Sequence, residues 1–162
     1  MKTRLILALG CVAAGAFATA ADMPAGHVMV NADKIMWGTA SPALPAGSNM
    51  TVITGDPATA GSAFTLRVKM PAGYKVPPHW HPTDENVTVM SGTVAMGMGE
   101  AWDDKALMAM PVGSFSAMPA KTPHYLVAKT AAIVQVHGVG PFALTYVNPK
   151  DDPRMAAPAA TK

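Results

Sequence analysis

From Ala63 onward the apolar residues fall on alternate positions. Phe64, Leu66, Val68 and Met70 alternate with Thr65, Arg67 and Lys69, which is the period of a half-buried strand and not of a helix. Similar short runs follow at residues 86–90, 93–98, 106–108, 114–117, 125–128, 131–137 and 143–147, separated by Gly, Pro or Asp-Asp. Glycine occurs 14 times and proline 15 times in the 162 residues, and no stretch keeps a helical period between caps. Many short strands at this spacing predict one all-β sandwich or barrel.

The segments flanking this pattern read differently. Lys2 and Arg4 precede an apolar run from Leu5 to Phe17 and the small-x-small site Ala18-Thr19-Ala20, which predicts a signal peptide over residues 1–20 and a periplasmic or secreted protein. The run is too short and too rich in Ala and Gly for a membrane span. Cleavage after Ala20 removes the only cysteine, so the remainder relies on packing without disulfides. It also removes two of 12 basic side chains and leaves them balanced against 10 acidic ones. A formally neutral chain gives no footing for nucleic acid. Residues 21–57, with Trp37 among Pro42, Pro45 and Gly47, predict an arm packed on the β-domain of residues 58–148. The Pro- and Ala-rich residues 149–162 predict a flexible tail.

The chemistry is concentrated between Gly73 and His124. His79 and His81 are two apart and so leave an extended strand from one face, and Glu85 shares their parity. Proline at 77, 78 and 82 suits a strand end or a sheet edge. Gly113, Pro119 and His124 frame a second strand-turn-strand. Four ligand-type residues with this parity and punctuation point to one metal site of three His and one Glu.

These residues resemble the cupin superfamily. Gly73, His79, His81, Glu85 and Gly92 match the defining positions of its first motif, and Gly113, Pro119 and His124 match its second. Lys121 stands where that family usually has a turn glycine, and Ala128 where it often has asparagine. The resemblance implies a jelly-roll barrel, the double-stranded β-helix of cupins, as a single domain, with the metal held by His79, His81, Glu85 and His124. Analogy with single-domain cupins adds a homodimer, for which Val134 and Val136 would offer an apolar patch.

Further candidates surround the four ligands. Gln135 and His137 share one face of the run Ile133–His137, and with that face inward they would contact substrate or support the ligands. Arg67 would hold an anion under the same condition. Trp80 lies between two inward ligands and should point outward. Met96, Met98, Met108 and Met110 invite copper, which soft sulfur suits, although methionine is an ordinary filler of apolar cores.

Taken together, these features predict an oxygen-dependent, dioxygenase-like oxidoreductase acting on a small organic substrate at one divalent transition metal. Loading outside the cytoplasm favours Fe, Cu or Zn over Mn. The alternatives are a non-catalytic periplasmic module that binds metal or a metabolite, and a copper enzyme that cleaves polysaccharide oxidatively.

Overall fold

The computed structural model describes residues 25–155; residues 1–24, with the signal peptide expected over 1–20, and residues 156–162 lie outside that range. Among the described residues eleven strands are formed: β1 Gly38–Thr39, β2 Asn49–Gly55, β3 Ala63–Met70, β4 Lys75–Trp80, β5 Glu85–Ser91, β6 Thr93–Met98, β7 Met108–Pro111, β8 Phe115–Met118, β9 His124–Ala128, β10 Ala132–Val139 and β11 Thr145–Tyr146. They build two antiparallel sheets, one in the order β1-β2-β3-β10-β5-β8 and the other β11-β4-β9-β6-β7. Non-consecutive neighbours within each sheet make this a jelly roll, as expected. Among the described residues no helix is long and apolar enough to cross a membrane.

The core lies between the sheets and follows the alternation seen in the sequence. Phe64, Leu66, Val68 and Met70 of β3 are buried, while Arg67 and Lys69 lie on the other face. In β10 the register pairs Val134 with Val68 and Val89, and Val136 with Leu66 and Val87. Paired residues share a face, so Val134 and Val136 point into the barrel and Gln135 and His137 point away. The apolar surface patch expected at Val134 and Val136 is therefore part of the core.

Some expected boundaries move. Asp104–Ala106 is a 3₁₀ turn whose first residue follows Asp103, and the Asp103 carboxylate accepts from Lys105 N. The strand expected at residues 106–108 consequently starts at Met108. Residues 49–55, expected within the arm, pair along β3 and belong to the six-stranded sheet. The rest of the arm is tied down by two buried tyrosines: Tyr74 Oη donates to Pro45 O (2.5 Å) and Tyr146 Oη to Ala43 O (2.8 Å). The start of the expected flexible tail also folds back, because Arg154 Nη2 donates to Leu144 O at 3.0 Å.

Gly92 and Gly97 are among the glycines required by close approach. A Cβ on Gly92, which has φ +71°, would stand 2.2 Å from Ala131 O. One on Gly97 would stand 2.2 Å from the Tyr125 ring, which lies fully buried against the β6 backbone.

Candidate metal centre

Three strand ends meet at one end of the barrel. His79 is the last residue but one of β4 and pairs with His124, the first residue of β9; His81 lies just beyond the end of β4, and Glu85 opens β5. The β4–β9 register slips between Val76 and His79, where Pro77 and Pro78 have no N–H to give the ladder. Two backbone N–H groups clamp the loops together: Lys121 N donates to His81 O (2.7 Å), and Ala120 N donates to the Asp84 carboxylate Oδ1 (2.8 Å). Lys121 adopts φ +61°, so the turn keeps the left-handed geometry for which the usual glycine is suited.

The structure brings His79, His81, Glu85 and His124 together, all buried. One ligand atom from each of the three histidines lies within 4.8 Å of those of the other two. Glu85 Oε2 is 3.1 Å from His124 Nε2 and 3.5 Å from His81 Nε2. Each imidazole is oriented by a backbone carbonyl: His79 Nδ1 contacts Pro77 O (2.8 Å), His81 Nδ1 contacts Ala143 O (2.8 Å) and His124 Nδ1 contacts Thr122 O (2.9 Å). A carbonyl can only accept, so Nδ1 carries the proton and Nε2 presents its lone pair to the centre. Phe142 stacks flat on His81, with centroids 4.1 Å apart and planes at 10°.

The electrostatics favour the neutral ligand form for two of the rings. Burial holds His79 well below the usual histidine range, and the neighbouring His124 and His81 add to this. Burial also lowers His81, against the pull of Glu85. For His124 burial acts downward, but the Glu85 carboxylate outweighs it and the net direction is up.

The residues fit a metal ion. His81 Nε2 and Glu85 Oε2 are buried with no hydrogen-bond partner, an arrangement that costs stability unless something between them is coordinated. Two ligands about 2.1 Å from a common ion stand about 3.0 Å apart at a right angle and about 3.4 Å apart in a tetrahedron. The observed 3.1 and 3.5 Å separations match that range.

A cavity of about 300 Å³ opens beside the centre, reaching His79, His81 and Glu85. Its walls are largely apolar, with Leu66, Val136 and Leu126 from the sheets and Leu44 and Phe142 from the covering segments. Phe142, Ala143 and the 41–44 segment were not marked by any sequence motif, since their roles arise from loops folding over the barrel mouth. Arg154 also reaches the cavity while its side chain is bound to Asp152.

The other candidates fall elsewhere. Gln135 does not face the centre; its Oε1 accepts from Arg67 Nε (3.0 Å) on the outer face of the six-stranded sheet. His137 lies on that outer face beside Phe115, ring centroids 6.4 Å apart. The pleat of β10, set by Val134 and Val136 entering the core, is the physical reason for both corrections, and it removes Arg67 from the cavity as well. Trp80 is half-buried and does not line the cavity. Met96 lines it, whereas Met98 and Met108 are exposed.

Comparison with known proteins agrees with this fold. No functionally curated protein matches the chain in sequence. The polyketide cyclase RemF from Streptomyces resistomycificus superposes with a TM-score of 0.63 at 15% identity, over 77% of this chain and 88% of that one. A putative acetylacetone dioxygenase from Methylibium petroleiphilum PM1 gives 0.59 at 19% identity, over 78% and 85%. An oxalate oxidase gives 0.51 at 24% identity, over 67% and 59%. At these identities the likeness establishes the fold, which is that of the cupins. The family model described as "Domain of unknown function (DUF4437)" matches residues 30–146, and the chain belongs to that cupin-like family.

Proposed function

We propose that this protein is a metal-dependent oxidoreductase of the cupin type, acting on a small, largely apolar organic molecule that carries metal-chelating oxygens. The observation that supports it is the buried convergence of three imidazole Nε2 atoms and one carboxylate on an apolar cavity. His79, His81, His124 and Glu85 would hold one divalent ion. Such an ion supplies Lewis acidity toward chelating oxygens and, with iron or copper, a one-electron couple for reaction with O₂.

The chain's own residues set what can approach. A volume of about 300 Å³ is at the small end of ligand pockets, roughly 300–1,000 Å³. Leu66, Val136 and Leu126 exclude water around the substrate body, and Phe142 fixes the His81 ring against rotation. The scarcity of polar groups away from the ligands favours a β-diketone or enolate-like substrate over a compact dianion such as oxalate. The names of the structural neighbours, an acetylacetone dioxygenase and an oxalate oxidase among them, are compatible with an oxidative role. Export, read from residues 1–20, places metal loading where late first-row ions compete well.

The test is oxygen uptake by protein loaded with Fe, Cu, Zn or Mn in turn, presented with acetylacetone, oxalate, a catechol and a flavonol. Metal-dependent uptake with an apolar chelator, abolished by His81→Ala, supports the proposal. Tight metal-dependent binding of these compounds without uptake replaces it with the non-catalytic binding module.

A further inference from the structure

Two exposed methionines, one of them paired with a ligand of the centre, do not serve the core. Met98 pairs directly with His124 across β6 and β9, so the two side chains share the inner face. Gly99 N donates to Pro123 O at 2.8 Å, which makes those neighbours a hydrogen-bonded pair. Met98 and His124 are then the adjoining non-hydrogen-bonded pair, the kind whose Cα atoms lie about 4.5 Å apart and whose side chains come closest. On β7, Met108 pairs with Met96, which places Met108 diagonal to Met98 on that face, within reach of a long side chain.

Packing accounts for the other methionines near the site but not for these two. Met96 is 6% exposed and Met118, which pairs with Glu85, is 3% exposed, so both fill the core. Met98 is 50% exposed and Met108 74%. The apolar cavity reaches His79, His81 and Glu85 but not His124. Met98 therefore adjoins the one ligand of the four that does not line the cavity.

We propose that Met98 and Met108 form a thioether site for Cu(I) beside His124, from which the ion passes to the His/Glu centre. This rests on reading the four-residue cluster as a metal centre. Thioether sulfur is soft and selects Cu(I) over zinc and manganese. Exposure lets an incoming ion reach both sulfurs, and His124 Nε2, already one of the centre's own donors, is the atom that takes the ion over from them. The step is ligand exchange alone, with no change in the oxidation state of copper.

The experiment measures Cu(I) affinity of the full chain by anaerobic competition with bicinchoninate, and zinc affinity by competition with a chromogenic chelator. Met98→Leu, Met108→Leu and the double variant keep side-chain volume, so folding should be preserved. The expected result is Cu(I) affinity about tenfold or more weaker in the double variant, with zinc affinity changed by less than about twofold. Unchanged Cu(I) affinity in the double variant, while the wild type binds zinc, overturns the thioether site and leaves the centre standing. An equal fall for both ions also overturns it, since the methionines would then act only by general packing. A wild-type chain that binds neither ion overturns the centre itself.

Discussion

Exchanging the characters of two adjacent residues in β10 tests which face of that strand encloses the cavity. Val136 is 5% exposed and pairs with Leu66 and Val87, all three lining the cavity. Val136→Gln gives up roughly 1.5–2 kcal/mol of side-chain burial and desolvates an amide with few partners, at about 1–2 kcal/mol more. The sum is about 3 kcal/mol, or a fall in Tm of about 12 °C in a domain of this size. Gln135→Val breaks the 3.0 Å bond from Arg67, worth about 0.5–1 kcal/mol on a partly open face. The gain in strand propensity is of similar size, so Tm should stay within about 4 °C. Thermal denaturation of both variants followed by circular dichroism decides the matter. A large loss with Gln135→Val and tolerance of Val136→Gln would refute the assignment and return Gln135 and His137 to the cavity.

Other perturbations follow from the same contacts. Gly97→Ala drives a methyl to within 2.2 Å of the Tyr125 ring, whose hydroxyl is bonded to Asp103; it should cost about 1–3 kcal/mol in chemical denaturation, and wild-type stability would contradict the β6–β9 packing. Lys121→Gly relieves a left-handed backbone at φ +61°, worth about 1–2 kcal/mol less about 0.4–1 kcal/mol of unfolded-chain entropy; Tm should rise modestly, and a fall would show that the lysine side chain itself holds the turn. Tyr146→Phe removes the buried bond to Ala43 O, and about 1–2 kcal/mol of stability should go with it. Limited proteolysis of that variant should cut faster within residues 40–47, and an unchanged rate would deny the tyrosine its role in docking the arm.

The parts of the fold written locally were legible in the sequence. The alternation in β3 and the turn punctuation gave strands and an all-β sandwich or barrel, which the resemblance to cupins narrowed to a jelly roll, and His79, His81, Glu85 and His124 could be grouped because their spacing fixes parity on strands whose ends are marked by proline and glycine. Parity without a marker was ambiguous. In β10 both faces carry residues that could face inward, and only pairing with Leu66 and Val68 of β3 decides for Val134 and Val136. Phe142, the Ala143 carbonyl and the arm residues over the cavity reach the site through loop closure, which leaves no periodic trace. The place of residues 49–55 in the sheet was not legible because β2 gains it from pairing with β3 and not from its own pattern, in which no residue is fully buried.

Metal content tests the central claim most directly. The full chain, produced without added metal and purified without chelators, should carry close to one divalent transition ion per chain by mass spectrometry, with Fe, Cu or Zn ahead of Mn. His79→Ala and His124→Ala should lose it, because each removes an imidazole whose Nε2 is held toward the centre by a backbone contact at Nδ1. A wild-type protein that arrives without metal, and whose Tm is unmoved by adding Fe, Cu, Zn or Mn, would contradict the account.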